Sequence, residues 1–345
     1  MPIGLNSISA DAANEKAGFY FRINDDTGTF KYTEGICSGT YNESNYIFYA
    51  QTTPDTDQAQ IIRYRLDNYG NPIYSGNSEK SSKKTTLFSY GKLGAANDLT
   101  YNPNTNQLYV PTLTNIDDAG HPYIAVLDNA VSTDSMTIGD NYYTVYDLAH
   151  HASVTSPFSG ITYLERLNGT DYVILSIKKT DKVSGLVSIY YYVARINNVT
   201  KRFVINSNTC SCSILLNNSS VKSQGTCYYD GYIYSTYVNV IEGTKTTVSG
   251  TSSYIVKSAV TFGDITDPYS MKINKISEET RYTSKISASN ILNYSSSISC
   301  TIMEIEGITY VPGLSTDWDG SFYFSFNISD SSGNRNDCIK YATYQ

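Results

Sequence analysis

"NDLTYNPNTNQLYVPT", residues 97–112, contains two short runs in which apolar and polar side chains alternate. The runs centre on 99–101 and 108–110, and the turn between them is rich in Asn, Pro and Thr. Alternation with a period of two is typical of a β-strand, and Asn and Pro are typical turn residues. The stretch therefore predicts a β-hairpin.

The same arrangement recurs along the chain. The copies are "SGTYNESNYIFYAQT" from Ser38, "SGITYLERLNGTDYVILS" from Ser159, "QGTCYYDGYIYSTYV" from Gln224 and, more weakly, "SCTIMEIEGITYVPG" from Ser299. The anchoring residues are Tyr41, Tyr101, Tyr163, Tyr228 and, in the weak fifth copy, Met303, at spacings of 60, 62, 65 and 75 residues. A repeat of this length indicates one supersecondary unit used several times.

Each hairpin is followed by a polar loop and a third alternating run, for example "IIRYRLD" from Ile61, "SIYYYVARIN" from Ser188 and, in the fifth copy, "FYFSFN" from Phe322. Most copies then add a turn and a fourth run such as "RFVIN" from Arg202. The repeating unit is therefore predicted to be a four-stranded antiparallel meander.

One such sheet cannot bury both faces alone, so neighbouring copies must cover one another around an axis. The sequence predicts an all-β fold, a five-bladed β-propeller of four-stranded antiparallel blades, as a single domain over 1–345. An N-terminal extension covers 1–17, and the blades lie near 38–78, 97–148, 159–206, 224–275 and 299–345. Residues 18–35, "GFYFRINDDTGTFKYTEG", read like the last two strands of a blade and are expected to close the ring against the C-terminal copy. A sixth blade is the alternative.

The stretch "ANDLTYNPNTNQLYV" from Ala96 resembles the blade sequence of the β-propeller superfamily, in the broad group that includes the NHL and SMP-30-like propellers. The likeness covers nearly the whole chain and implies an architecture rather than one activity. In architecture and composition the chain is also similar to the propeller platforms of phage tail receptor-binding proteins.

Composition restricts the partners. The net charge is −7, the pI is about 5.0, and no basic cluster exceeds two residues, as at Lys83-Lys84, so nucleic acid is not an expected partner. No apolar run is long enough for a membrane span, and the first residues lack the pattern of a signal peptide. The cysteines Cys37, Cys227 and Cys300 fall in predicted strands and are expected to be reduced, whereas Cys338 is either free or bridged.

Loops that feed the innermost strands of a propeller converge on its channel, so we expect ligands there. A five-bladed glycosidase would place carboxylates on several inner strands, and the nearest candidates for catalysis are Asp98, Glu165 and Glu34. Two of them have a structural alternative: Asp98 as a cap for its own turn, and Glu165 as a residue facing the next blade. No copy carries the acid motifs expected of furanosidases or arabinanases.

Other residues are candidates for ligand binding. Asn97 and Asp98 form a polar pair at the channel mouth, and one of His150 and His151 could reach a ligand there. Trp318 offers a stacking surface for a sugar or an anchor for its loop. The candidate ligand-binding residues are Asn97, Asp98, His151, Tyr41, Tyr101 and Trp318.

No cofactor is expected, with calcium as the one alternative. Asp317 and Asp319 are weak candidates for a metal site because paired loop acids attract calcium, although they lack the spacing of a complete calcium loop.

These observations favour a non-catalytic recognition module that binds a cell-surface glycan or protein receptor. A phage tail or a surface adhesin is the expected setting, extracellular or virion-associated, within a homo-oligomer or larger assembly. Surfaces rich in Tyr, Asn and Ser make adaptable contacts. The alternatives are a five-bladed glycoside hydrolase acting on a polysaccharide and a structural assembly protein.

Overall fold

The computed structural model describes a set of ranges that together carry the sheets. These are 20–23, 32–53, 58–73, 84–88, 92–94, 96–116, 122–131, 136–137, 142–146, 160–181, 183–205, 212–216, 221–239, 253–263, 271–282, 302–330 and 333–342. Within these ranges all regular structure is β, with no α-helix, and hence no helix able to cross a membrane.

The strands follow one another as meanders. In chain order they start with β1 (Tyr20–Ile23), then β2 (Tyr32–Tyr41), β3 (Ser44–Thr52), β4 (Ala59–Arg65) and β5 (Lys84–Phe88). The second group is β6 (Thr100–Asn102), β7 (Gln107–Ile116), β8 (Pro122–Leu127) and β9 (Tyr142–Tyr146). The third is β10 (Gly160–Leu167), β11 (Thr170–Thr180), β12 (Val187–Asn197), β13 (Arg202–Ile205) and β14 (Cys212–Leu216). The fourth group is β15 (Val221–Tyr229), β16 (Tyr232–Asn239), β17 (Ser253–Phe262) and β18 (Ile273–Tyr282). The fifth is β19 (Ile302–Ser315), β20 (Trp318–Asp330) and β21 (Gly333–Ala342).

Within each meander consecutive strands pair antiparallel. Three groups form separate four-stranded sheets, in the orders β2-β3-β4-β5, β15-β16-β17-β18 and β1-β21-β20-β19. The second and third groups are joined by a parallel pair, β13 with β9, and so make one nine-stranded sheet in which β14 lies against β12. The N-terminal β1 pairs antiparallel with β21, so the N-terminal strand does complete the C-terminal sheet.

The first strand of each meander lies at the centre of the molecule. These inner strands contact one another in a closed cycle: β2 with β6, β6 with β10, β10 with β15, β15 with β19, and β19 with β2. The all-β propeller predicted from the sequence is confirmed. The grouping gives five meanders, and a count of five blades stays our prediction.

Apolar side chains fill the spaces between neighbouring sheets. Phe48 and Ile61 of the first meander pack with Leu99, Leu108 and Ala125 of the second. Equivalent clusters join the second meander to the third, the third to the fourth, and the first to the fifth. Each sheet thus hides its faces against its neighbours.

The fifth copy differs in detail from the expectation. The segment from Phe322 lies in β20, the second strand of its sheet, not the third. The hairpin expected within "SCTIMEIEGITYVPG" does not form, since Glu306-Gly307 is a β-bulge inside the single long strand β19, which pairs with β20 on both sides of it. Tyr310, not Met303, therefore follows the glycine as Tyr163 does in the third copy.

The first sheet begins earlier than the repeat suggested. β2 already pairs with β3 at Tyr32, so the end of 18–35 belongs to the first sheet, and within that range Tyr20–Ile23 pairs with the C-terminal sheet. The reason is a bulge at Glu34, which lets the pairing continue past the irregularity between Thr33 and Gly35.

The turn joining β2 to β3 is less favourable than its counterparts. In two other hairpins the second turn residue is a glycine at positive φ, Gly169 at 78° and Gly231 at 79°. In the first hairpin that place is held by Glu43 at 58°, after Asn42 at 46°. An L-residue with a Cβ pays a steric cost in this region that glycine avoids.

Replacing Glu43 by glycine should therefore stabilise the protein. We expect Glu43→Gly to raise the free energy of unfolding by about 0.5–1 kcal/mol, the relief of turn strain being partly offset by the greater freedom of glycine in the unfolded chain. Urea unfolding measures the change. Glu43→Ala is the control, since it removes the carboxylate but keeps the Cβ, and an equal gain there would refute the explanation.

Candidate functional site

A short pattern repeats at the centre of the ring. It places a polar residue first, a very small residue second in four copies, an aliphatic residue or Thr third, and Thr or Cys fourth. The copies are Glu34-Gly35-Ile36-Cys37, Asn97-Asp98-Leu99-Thr100, Ser159-Gly160-Ile161-Thr162, Gln224-Gly225-Thr226-Cys227 and Glu306-Gly307-Ile308-Thr309. Asp98 is the exception at the second position, where every other copy has glycine.

The glycines are required because the inner strands nearly touch. A Cβ on Gly225 would lie 2.8 Å from Cα of Gly307, and one on Gly35 would lie 2.8 Å from Cα of Asp98. A Cβ on Gly160 would lie 2.9 Å from Oδ2 of Asp98. The neighbours of Gly35 and Gly225 include backbone atoms, which cannot rotate away, and the space beside Gly160 is already occupied by Asp98 and two hydroxyl groups. The second position therefore admits one side chain into the ring.

That side chain is the carboxyl group of Asp98, which is only 1% exposed. Its Oδ1 accepts the N–H of Leu99 at 2.9 Å, and its Oδ2 accepts the N–H groups of Ile161 at 2.9 Å and Thr226 at 3.2 Å. Three meanders are joined through one group. Burial raises the pKa of Asp98 well above its usual range, against the opposing effect of the three N–H donors.

The fourth position forms a second layer of bonds between neighbouring meanders. A side chain at this position accepts the N–H of the residue that follows the same position in the next meander. The pairs are Tyr163 N to Thr100 Oγ1 at 2.7 Å, Tyr228 N to Thr162 Oγ1 at 3.1 Å, Ser38 N to Thr309 Oγ1 at 3.0 Å, and Tyr310 N to the thiol of Cys227. Cys37 and Cys227 are buried free thiols, as predicted, and burial raises the pKa of Cys227 to about 12.

Beyond these layers lies a cavity of about 380 Å³, which we call the cup. All five inner strands or their flanks contribute to it. Its lining is Ile36, Cys37, Ser38, Gly39, Thr40, Leu99, Thr100, Tyr101, Pro103, Thr162, Tyr163, Thr226, Cys227, Tyr228, Tyr229, Ile308, Thr309, Tyr310 and Pro312. Among these described residues there is no Asp, Glu, His, Lys or Arg.

The cup opens on one particular side of the ring. Its lining residues come after Asp98 and the four glycines in their strands, toward the turns that join first and second strands. We call this side the hairpin face and the opposite side, where the inner strands begin, the start face. Pro103 and Pro312 are exposed at the rim. Asp98 and the four glycines do not line the cup but precede lining residues by one or two positions in their strands, and we call their layer the floor of the cup. The observed cavity therefore faces away from the feeding loops where we expected ligands.

Tyrosines form the wall of the cup. Tyr229 stacks on Tyr310 with ring centroids 3.5 Å apart and an angle of 22° between the planes. The hydroxyl of Tyr310 donates to the carbonyl of Asp319 at 2.6 Å, and that of Tyr163 donates to Asp171 Oδ1 at 3.0 Å. Tyr310 itself is only 7% exposed, because its ring packs against Tyr229 and Phe322. The ring surface open to the cup therefore comes from the half-buried tyrosines Tyr163, Tyr228 and Tyr229.

The start face carries a different chemistry. Glu34 and Glu306 occupy the bulges of the neighbouring strands β2 and β19, and Gln224 occupies the corresponding bulge of β15. Burial raises the pKa of Glu34 to about 7; the Thr52 hydroxyl, which donates to Glu34 Oε1 at 2.8 Å, opposes the shift.

Glu306 is more deeply buried, at 4% exposed. Burial first, and then the charges of Glu304 and Glu34, raise the pKa of Glu306 well above its usual range, against a 2.5 Å hydrogen bond from Asn327 Nδ2. Lys222 lies 3.5 Å from Glu304 and supplies the positive charge here. The start face can hold protonated carboxyl groups near neutral pH.

The predicted catalytic and metal candidates are dispersed. Asp98 lies at the floor of the cup and Glu34 at the start face, whereas Glu165 is exposed on β10. Asp317 and Asp319 are exposed at the turn between β19 and β20. Within the described ranges no group of three or more His, Cys, Asp or Glu side chains could hold a metal ion. The catalytic and calcium roles stay predictions.

The predicted binding residues are also spread out. Tyr101 lines the cup and belongs to the apolar cluster between the first and second meanders. Tyr41 packs against that cluster but does not line the cup. Asn97 is half-buried before β6. Trp318 packs against Gly70 and the cluster between the first and fifth meanders, and its Nε1 donates to Ser321 Oγ at 3.3 Å. His151 lies outside the described residues.

Sequence reasoning missed the wall residues Tyr229 and Tyr310 as candidates, and also Glu306. The signal was present: a polar residue followed by glycine recurs at Glu34, Gln224 and Glu306. Aligning the copies on that dipeptide, rather than on the aromatic, brings the tyrosines and the bulged acids into register.

Neither a protein-family model nor a curated protein matches the sequence. Several solved structures are similar in fold. The tail fiber of Staphylococcus aureus phage P68 is 9% identical over 98% of this chain, with a TM-score of 0.45, and this chain spans 55% of its length. An alpha-L-arabinofuranosidase from Lactobacillus brevis is 13% identical over 90% of each chain, with a TM-score of 0.47. A Trypanosoma rangeli sialidase is 7% identical over 93% of this chain and 56% of its own, with a TM-score of 0.42. At these similarities none of them indicates an activity for this chain.

Removing the carboxyl group of Asp98 should destabilise the ring severely. Asp98→Ala leaves three buried N–H groups without their acceptor, and we expect a loss of more than about 3 kcal/mol in the free energy of unfolding. Asp98→Asn keeps one oxygen and should cost about 1–3 kcal/mol. Urea unfolding measures both. The matched control is Asp181→Ala, because exposed Asp181 also accepts backbone N–H groups, from Val183 and Ser184, but only within its own turn; equal losses would contradict the role given to Asp98.

Stability should fall as the pH rises from 5 to 8. The folded-state pKa of Glu34 is raised to about 7, so the folded protein holds this proton more tightly than the unfolded chain, and its contribution is lost as the pH passes through about 7. Glu306, which shares Glu304 and Lys222 as charged neighbours, acts in the same direction. We expect a loss on the order of 2 kcal/mol, measured by urea unfolding across the pH range. Glu34→Gln should flatten the dependence, and an unchanged slope in that variant would speak against this origin.

Proposed function

We propose that the protein is a non-catalytic recognition module that binds a cell-surface glycan or protein. The observation that supports this best is the cup: all five inner strands supply its wall, and the wall consists of tyrosines, hydroxyls and aliphatic groups. Small-molecule sites are mostly apolar concavities with a few polar groups, and this cavity has that character.

The chemistry of the cup supports binding over cleavage. Glycoside hydrolysis uses two carboxyl groups on either side of the scissile bond. The described lining of the cup contains none, and Asp98 at its floor is committed to three backbone N–H groups. A ligand in the cup would contact aromatic rings and hydroxyl groups and would not be cleaved there.

The setting we propose is extracellular or virion-associated, in a phage tail or a surface adhesin. The 33 tyrosines and the low share of charged residues, 17%, suit contact with varied surfaces. A larger assembly or a homo-oligomer would present several cups at once, and multivalent binding would raise the overall avidity.

A second candidate function is a glycoside hydrolase acting at the start face. It is favoured by one observation: Glu34 and Glu306 project from neighbouring inner strands, and the pKa of both is raised, that of Glu34 to about 7. A carboxyl group protonated near neutral pH is what a general acid requires.

Binding without turnover is the expected result. The full chain is incubated with an array of cell-wall and capsular polysaccharides, with and without calcium, and retained material is scored for saturable binding. The same polysaccharides are then assayed for new reducing ends. Saturable binding without product supports the module. Release of product that Glu34→Gln and Glu306→Gln each abolish would replace it with the hydrolase, and absence of binding to glycans and to cells would refute it.

A further inference from the structure

We infer that the cup takes the uncharged terminal sugar of a glycan, inserted from the hairpin face. This inference rests on the proposed function and adds to it the ligand class, the direction of approach and the wall that holds the ligand.

The direction of approach follows from the closed floor. At the level of Asp98 the inner strands approach to backbone contact, and the remaining space is filled by the Asp98 carboxyl group. A ligand cannot pass through this layer from the start face. It must therefore arrive between the hairpin turns and stop above Asp98.

The size of the cup limits what enters. A volume of about 380 Å³ lies near the lower end of the range for small-molecule sites, roughly 300–1,000 Å³. The end of a chain fits a closed cup of this size, whereas a continuous polymer strand needs an open groove. The occupant is thus a terminal unit.

The inner wall selects for C–H surfaces. The stacked rings of Tyr229 and Tyr310 are held by a hydrogen bond between their hydroxyls and by the bond from Tyr310 to the Asp319 carbonyl. Several hydroxyls of the lining are also engaged within the protein, as in the bond from Ser38 Oγ to the Tyr310 carbonyl at 2.6 Å. What remains for a ligand is mainly the ring surface of the half-buried tyrosines Tyr163, Tyr228 and Tyr229, and a pyranose presents a matching patch of C–H groups.

The charges around the cup exclude anions. Asp230 directly follows the wall residue Tyr229, and Asp319 lies next to Tyr310, whose hydroxyl donates to its carbonyl. Burial is the main cause of the raised pKa of Tyr310 and Tyr228, and the charges of Asp319 and Asp230 add to it for Tyr310, as that of Glu165 does for Tyr228. The nearby guanidinium group of Arg166 is already paired with Asp171, at 2.7 Å and 2.9 Å. The field is therefore negative, which disfavours sialylated, uronate-containing or phosphorylated sugars.

The uncharged interior of the cup, and not these rim charges, distinguishes a neutral sugar from a cationic side chain of a protein. Carboxylates at the rim accept hydrogen bonds from sugar hydroxyls outside the cup. A Lys or Arg side chain would have to bring its charge into a cavity whose described lining holds no counter-charge, and burying an unpaired charge is costly. A neutral, hydroxyl-rich ligand suits both the rim and the interior.

The test is a binding titration with neutral glycans, using wild type and three variants. Tyr229→Ala removes one ring of the wall and should weaken binding at least tenfold. Tyr229→Phe keeps the ring and should stay within about threefold, since the ring carries the contact. Tyr69→Ala is the matched control: Tyr69 is 53% exposed in a turn outside the cup, and its loss should leave the affinity unchanged.

A second variant covers the case in which Tyr229→Ala fails to fold. Thr40→Trp places bulk at the half-exposed wall of the cup without removing a ring and should block binding. Urea unfolding of each variant verifies that the fold persists. Binding that survives both Tyr229→Ala and Thr40→Trp would overturn the assignment of the cup.

The glycan array distinguishes failure of this ligand assignment from failure of the proposed recognition function. Preference for uncharged over sialylated, uronate or phosphorylated glycans supports the inference. Preference for anionic glycans, or for a protein receptor alone, overturns it while the recognition function stands. Failure of the wild type to bind any glycan or cell overturns the proposed function itself.

Discussion

The packing of the inner strands depends on a single buried carboxyl group. Inner strands that meet at the axis bring buried backbone N–H groups into a space that has no room for five side chains. Glycine at four of the five equivalent positions permits the close approach, and Asp98 at the fifth accepts hydrogen bonds from Leu99, Ile161 and Thr226. Without such an acceptor the buried donors would carry a large desolvation cost. Asp98 thus supplies a single hydrogen-bond acceptor for the inner strands of three meanders.

The same packing produces the cup. Because the layer of Asp98 and the glycines is closed, the cavity along the axis of the ring is open only toward the hairpin face. The threonines and Cys227 of the next layer bind N–H groups of neighbouring meanders, and this holds the tyrosines that follow them in register. The surface of the cup is therefore set by hydrogen bonds to backbone N–H groups and does not depend on long loops.

The sequence was sufficient for the architecture and for part of the site. Alternation around Tyr101, Tyr163 and Tyr228, with its regular spacing, led to the all-β propeller and to the closing role of the N-terminal strand. It also singled out Asp98, although it placed this residue at the channel mouth and not in the buried layer between the inner strands. It could not identify the bulge at Glu306-Gly307, because a polar residue followed by glycine reads as a turn in the sequence, whereas cross-strand pairing decides whether the chain reverses. Nor could it decide which end of the axis is open, since that depends on how closely backbones approach in three dimensions.

The closing pair of strands has a mechanical consequence. β1 runs antiparallel to β21, with Tyr20 opposite Ile339 and Ile23 opposite Asn336, so the chain enters β1 at the same end at which it leaves β21. Tension between these two points peels the pair apart one hydrogen bond at a time, which needs less force than sliding all of the bonds at once. The ring would therefore open first at this seam when it is pulled from these two points.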